Sequence, residues 1–191
     1  MKKIIPLVTI ALVLFVSTVK AQVQRGNLLV GADIANFDLS LNSGGNFNMR
    51  IDPELAFFIR NNIAIGPYLN LGLSTAKGAG TDVSYGVGLL GRYYINDSTI
   101  NLLKRGRFFL EANVGIEGYN PSVGDNTNGL GLGAGPGYAY FITENIGLET
   151  LLKYNGIIGF GSEPTSSSLT LSFGFQIYLG KGSTRSLIRT P

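Results

Sequence analysis

Ten charged residues recur on alternating positions of otherwise uncharged segments: Asp33, Arg50, Asp52, Glu54, Arg92, Arg107, Glu111, Glu117, Glu149 and Lys153. Two chemistries suit such a set. Paired carboxylates do acid–base work on glycosides when they flank an open cleft. Interleaved acids and bases also neutralise one another where water is scarce, because a lone buried charge costs several kcal/mol. The chain has no histidine and no cysteine. That excludes a Ser-His-Asp hydrolase, a thiol nucleophile, a disulfide framework and a zinc centre of the usual ligands. No metal, no cofactor and no catalytic group is expected. The glycine-rich run Gly129–Gly137 is not followed by Lys-Ser/Thr or by a helical pattern, so it is not a phosphate loop.

The elements that carry these charges have period two. From Ile63 one face reads Ile63, Ile65, Pro67, Leu69, Leu71, Leu73 and the other Ala64, Gly66, Tyr68, Asn70, Gly72, Ser74. The same alternation starts at Val83, Phe108, Leu130 and Leu169, and less regularly over 47–59 and 146–158. Between Ile34 and Phe37 the parity changes, which predicts a bulge or a strand leaving the sheet. The reading is eight strands. Their apolar face is continuous and long-chained; the opposite face holds Gly, Ser, Asn and the charges. In a narrow eight-stranded barrel the interior is filled by side chains, and about twelve inward glycines make room for Arg and Tyr. The apolar face then looks outward into lipid. The expected fold is all-β: an eight-stranded antiparallel up-and-down transmembrane β-barrel.

The chain has 191 residues, 27 of them Gly, with 15 Lys+Arg, 12 Asp+Glu and a net charge of +3. Met1-Lys2-Lys3, an apolar run of 13 residues from Ile4 to Val16 and Val19-Lys20-Ala21 read as a secretory signal peptide cut after Ala21. The run is too short to span a bilayer as a helix. Setting the leader's three lysines aside leaves twelve basic against twelve acidic residues, so the positive charge implies no nucleic-acid partner. The expected organisation is a leader over 1–21, a barrel over 22–180 and a polar tail over 181–191.

A repeated device marks one rim. Asp52-Pro53-Glu54-Leu55-Ala56-Phe57-Phe58-Ile59 resembles Gly135-Pro136-Gly137-Tyr138-Ala139-Tyr140-Phe141-Ile142, and Tyr93-Tyr94-Ile95 ends another strand alike. Phe57, Phe58, Tyr93, Tyr94, Tyr140, Phe141 and Tyr178 are expected to form an interfacial aromatic belt. The turns Arg60-Asn61-Asn62 and Thr143-Glu144-Asn145 use Asn for its tolerance of the left-handed region. This rim and both termini are expected on the periplasmic side, with Asn42–Asn46, Lys77–Asp82, Asn120–Asn128 and Gly159–Ser167 as outer loops. Asn96–Gly106 is long for a periplasmic turn, and Ile100, Leu102 and Leu103 suggest a short interfacial helix there.

The stretch Gly-Pro-x-Tyr-Ala-Tyr-Phe-Ile-Thr-Glu-Asn-Ile-Gly-Leu-Glu over 135–149 resembles the small outer-membrane β-barrel proteins of Bacteroidetes-type bacteria, with OmpA/OmpX-like architecture. The segment Ser172–Leu179 is similar to the C-terminal signal read by the barrel assembly machinery, with Ile177 and Leu179 where aromatics are usual. The resemblance implies an integral protein of the cell outer membrane, with membrane lipid and the assembly machinery as its partners. Height counted from the rim places Glu54, Arg92, Glu111 and Glu149 together in the lumen. The first expectation is a non-enzymatic envelope protein with a lumen filled by a charged network. The alternatives are a porin-like path for ions or small solutes and surface adhesion through the outer loops.

Overall fold

The computed structural model describes residues 23–39, 46–76, 78, 80–95, 106–160 and 165–180. The leader, the 181–191 tail and the 96–105 connection, with its expected helix, lie outside the described residues. Eight antiparallel strands form one closed barrel: β1 (Leu28–Leu39), β2 (Asn46–Arg60), β3 (Ile63–Ala76), β4 (Gly80–Tyr94), β5 (Gly106–Asn120), β6 (Thr127–Phe141), β7 (Ile146–Gly159) and β8 (Ser166–Leu179). Each pairs with its sequence neighbours, and β1 closes on β8 from Leu28↔Leu179 to Ala35↔Ser172. The end where β1 starts and β8 finishes is called lower here; the other end is upper.

The alternation sorts the residues as physics requires of a barrel in lipid. Leu71, Leu89, Val114, Leu132 and Leu171 all point outward and are exposed. On the inner face, glycines lie opposite the large side chains. Added Cβ atoms at Gly88 and Gly115 would come 2.6 Å and 2.7 Å from the Tyr68 ring and hydroxyl. Gly137 similarly underlies the Phe109 ring, and Gly31 the Gln176 carboxamide. The inward glycines therefore set the space in which the lumen side chains lie flat.

The parity change in β1 is a bulge. Its register against β2 shifts between Ala35 and Asp38, with Asn36 at φ 52°. Pairing with β8 ends at the same place, while β1 stays paired with β2 through Leu39, so the segment is a bulge within the sheet and not a strand leaving it. The two lower turns differ from one another. Asn62 sits at φ 65°, the left-handed conformation expected of it. The 143–145 turn does not use Asn145 that way; its amide donates to Thr143 Oγ1 at 3.3 Å instead. Residues 23–27 fold across the lower end: the Arg25 amide donates to Asn61 Oδ1 at 2.9 Å, and Val23 is buried.

Candidate functional site: the lumen

The lumen is layered. Its lower layer is aromatic: Phe58 of β2, Tyr94 of β4, Phe109 of β5, Phe141 of β6 and Tyr178 of β8 are all buried. Ring centroids lie 5.7 Å apart for Phe58–Tyr94, 5.5 Å for Tyr94–Phe109 and 5.1 Å for Phe141–Tyr178, within aromatic packing range. The Tyr94 and Tyr178 hydroxyls are 3.0 Å apart.

This layer corrects the expected belt. Phe57, Tyr93 and Tyr140 do face outward, with 49%, 51% and 44% exposure, whereas Phe58, Tyr94, Phe141 and Tyr178 are at most 2% exposed and fill the barrel. The physical reason is the pleat: adjacent residues of a strand point to opposite faces, so an aromatic pair contributes one ring to lipid and one to the lumen.

Above the rings lies Arg92, whose side chain is 0% exposed. Its guanidinium carbon stands 4.7 Å over the Phe109 ring, a cation–π contact. Nε donates to Glu111 Oε2 at 2.6 Å and Nη1 to Glu149 Oε2 at 2.6 Å, and Nη2 lies 2.8 Å from Glu54 Oε1. Only Glu111 is its register neighbour across β4–β5; Glu149 and Glu54 reach it through the lumen from β7 and β2. Asp33 is more distant, 4.0 Å from Nη2, and is held by Gln176 Nε2 at 3.1 Å. Lys153 Nζ lies 3.1 Å from Glu111 Oε1. The Tyr178 hydroxyl donates to Glu149 Oε1 at 2.5 Å, which ties the rings to the charges. The planar guanidinium spreads three separate nitrogens over three carboxylates while its face rests on Phe109, a geometry that the compact point charge of an ammonium does not offer.

Oxygen atoms of Asp33, Glu54 and Glu149 come within 4.8 Å of one another, a spacing that a metal ion could use. Here the Arg92 guanidinium occupies that role. The other four expected charges lie apart from Arg92's immediate partners. Arg50 Nε pairs with Asp52 at 2.9 Å near the upper end, and Arg107 donates to the Gly106 carbonyl at 3.0 Å near the lower end of β5. Glu117 accepts from the Tyr68 hydroxyl at 2.6 Å, in a layer above Arg92 that Asn113 completes by donating to the same hydroxyl at 3.0 Å.

Tyr68, Phe109, Asn113 and Gln176 were not among the residues singled out from sequence. Their inward parity was visible, but neutral side chains on a polar face carry no mark that separates lumen from solvent.

Over these layers the upper half of the barrel opens into a polar cup of about 330 Å³, lined by residues that include Arg50, Asn70, Asp82, Glu117 and Asn155.

No family model matches the chain, and no curated protein matches it. Among solved structures it is similar to Neisserial surface protein A, at 20% identity and a TM-score of 0.52, over 79% of this chain and 95% of that one. It is also similar to the N-terminal β-barrel domain of Pseudomonas aeruginosa OprF, at 12% identity and a TM-score of 0.44, over 81% and 98%. A third is Ail, the attachment invasion locus protein of Yersinia pestis, at 12% identity and a TM-score of 0.43, over 81% and 100%. With its closed eight-stranded meander, lipid-type outer face and filled polar lumen, the chain has the OmpA/OmpX-like fold of the small outer-membrane β-barrels.

Proposed function

We propose that this chain is an integral outer-membrane barrel with a structural, non-catalytic role in the envelope, its lumen closed to ions by a plug. The observation that carries the reading is Arg92. Its fully buried guanidinium is contacted by carboxylates from three other strands and rests on the aromatic layer below. Two successive layers, one charged and one aromatic, thus lie across the lower half of the lumen. Membrane lipid is the partner of the outer face, and the barrel assembly machinery that of β8 during insertion. The tight lower turns and both termini face the periplasm in this reading.

The test is single-channel recording in planar bilayers with the refolded chain. The plug reading expects no conductance steps from the wild type and their appearance in Arg92→Ala. Regular steps from the wild type would replace the plug with a porin-like path.

A further inference from the structure

We propose that the boundary between the upper cup and the Tyr68–Asn113 layer beneath it binds one hard divalent cation of the calcium type, held by Asn70, Glu117 and Asn155 of the cup lining and by Asn113 below them. Among the described residues, the Oδ1 atoms of Asn70, Asn113 and Asn155 are buried and accept no hydrogen bond from the protein. The three residues are 3%, 7% and 6% exposed. Two of these oxygens converge. Asn113, Gly133 and Asn155 are direct register neighbours across β5, β6 and β7. A Cβ built on Gly133 would meet Asn155 Oδ1 at 2.9 Å and Asn113 Oδ1 closer still. The two carboxamide oxygens thus face one spot from opposite sides.

The carboxylate adjoins them. Glu117 Oε1 lies 2.8 Å from a Cβ position on Gly131, two residues along β6 from Gly133, and 3.5 Å from Asn113 Nδ2. Asn70 flanks it over Gly86, where an added Cβ would stand 3.3 Å from Asn70 Cβ and 2.7 Å from Glu117 Cγ.

Charge around the cup favours a cation. Arg50 is the single base among its described lining residues and is already paired with Asp52 at 2.9 Å. Lys153, two residues below Asn155, is paired with Glu111 at 3.1 Å. Asp82 at the mouth accepts from Tyr119 and Ser122 and adds negative potential. The described lining thus carries two acids, Asp82 and Glu117, against one paired base. Carboxamide and carboxylate oxygens with room for water ligands are the donor set that hard divalent cations select. The proposal goes beyond the envelope role and does not depend on whether the barrel conducts.

The test uses the full mature barrel, folded in micelles and stripped with EDTA, with folding checked by heat-modifiable gel mobility. Tb³⁺ is added and its emission is excited through tyrosine, since the Tyr68 hydroxyl lies 2.6 Å from Glu117. The expected result is one Tb³⁺ per chain, displaced by Ca²⁺. Glu117→Gln weakens binding at least tenfold, Asn70→Asp tightens it, and Asp82→Asn changes it less than threefold. A folded wild type without Ca²⁺-displaceable emission overturns the site and leaves water only at that boundary. Glu117→Gln binding like wild type, or loss in Asp82→Asn alone, overturns it as well.

Discussion

At the scale of the residue, Arg92 concentrates the energetics of the lumen. Removing it leaves Glu54, Glu111 and Glu149 without their shared cation, and breaking a buried pair typically costs about 3–5 kcal/mol. Arg92→Ala is expected to lose at least that much in urea unfolding from lipid vesicles. A single compensating change, Glu54→Gln, is expected to recover only part of the loss, because Glu149 remains without a cation while Glu111 keeps Lys153. Arg92→Lys is expected to fail as a substitute, since one ammonium cannot reproduce the Nε, Nη1 and Nη2 contacts. Equal stability of Arg92→Ala and wild type would remove the network from the account. The heights of Glu54, Arg92, Glu111 and Glu149 could be read from sequence because each sits a countable number of residues from a rim. The three-way sharing could not, since cross-lumen distances depend on strand tilt and barrel closure, which period two leaves unspecified.

At the scale of the element, the strands follow from alternation alone, and the outer face tests it. Leu89→Arg and Val114→Arg, near the middle of the apolar band, are expected to cost about 2–4 kcal/mol, and Val83→Arg at the upper rim clearly less. Reversible unfolding from vesicles reads the difference, and equal costs at all depths would contradict the orientation of the faces. The turns give a second check. Asn62 is at φ 65°, so Asn62→Ala is expected to destabilise the β2–β3 hairpin by about 1–2 kcal/mol and Asn62→Gly much less. The corresponding change at Asn145 is expected to have little effect, because that turn is closed by Thr143. The aromatic pairs show how a correct element can yield an incorrect site. Phe58, Tyr94 and Phe141 share the height of their outward neighbours in the sequence, whereas face decides their environment. The alternation that revealed the strands already contained that answer.

At the scale of the whole molecule, closure matters most. β8 must pair with β1, because an open edge in lipid leaves backbone groups unsatisfied at several kcal/mol each. Truncation before Leu169 is expected to leave an aggregated or degraded chain, and removal of residues 183–191 to leave a barrel with heat-modifiable mobility. Loss of that mobility on the short deletion would give the tail a role in folding. The seam itself is short: β1 and β8 share eight paired positions, against fourteen for β3 and β4, because the ladder ends below the bulge at Asn36. Among the described residues, β8 above Ser172 is laddered on its β7 side alone, and Leu169 is 68% exposed. The wall of the barrel is therefore not uniformly laddered. In deuterated buffer, amides of β8 above Ser172 that point toward β1 are expected to exchange ahead of those in the β3–β4 ladder. Under a pulling force applied at the ends of the chain, this shorter ladder is the line along which the wall unzips first.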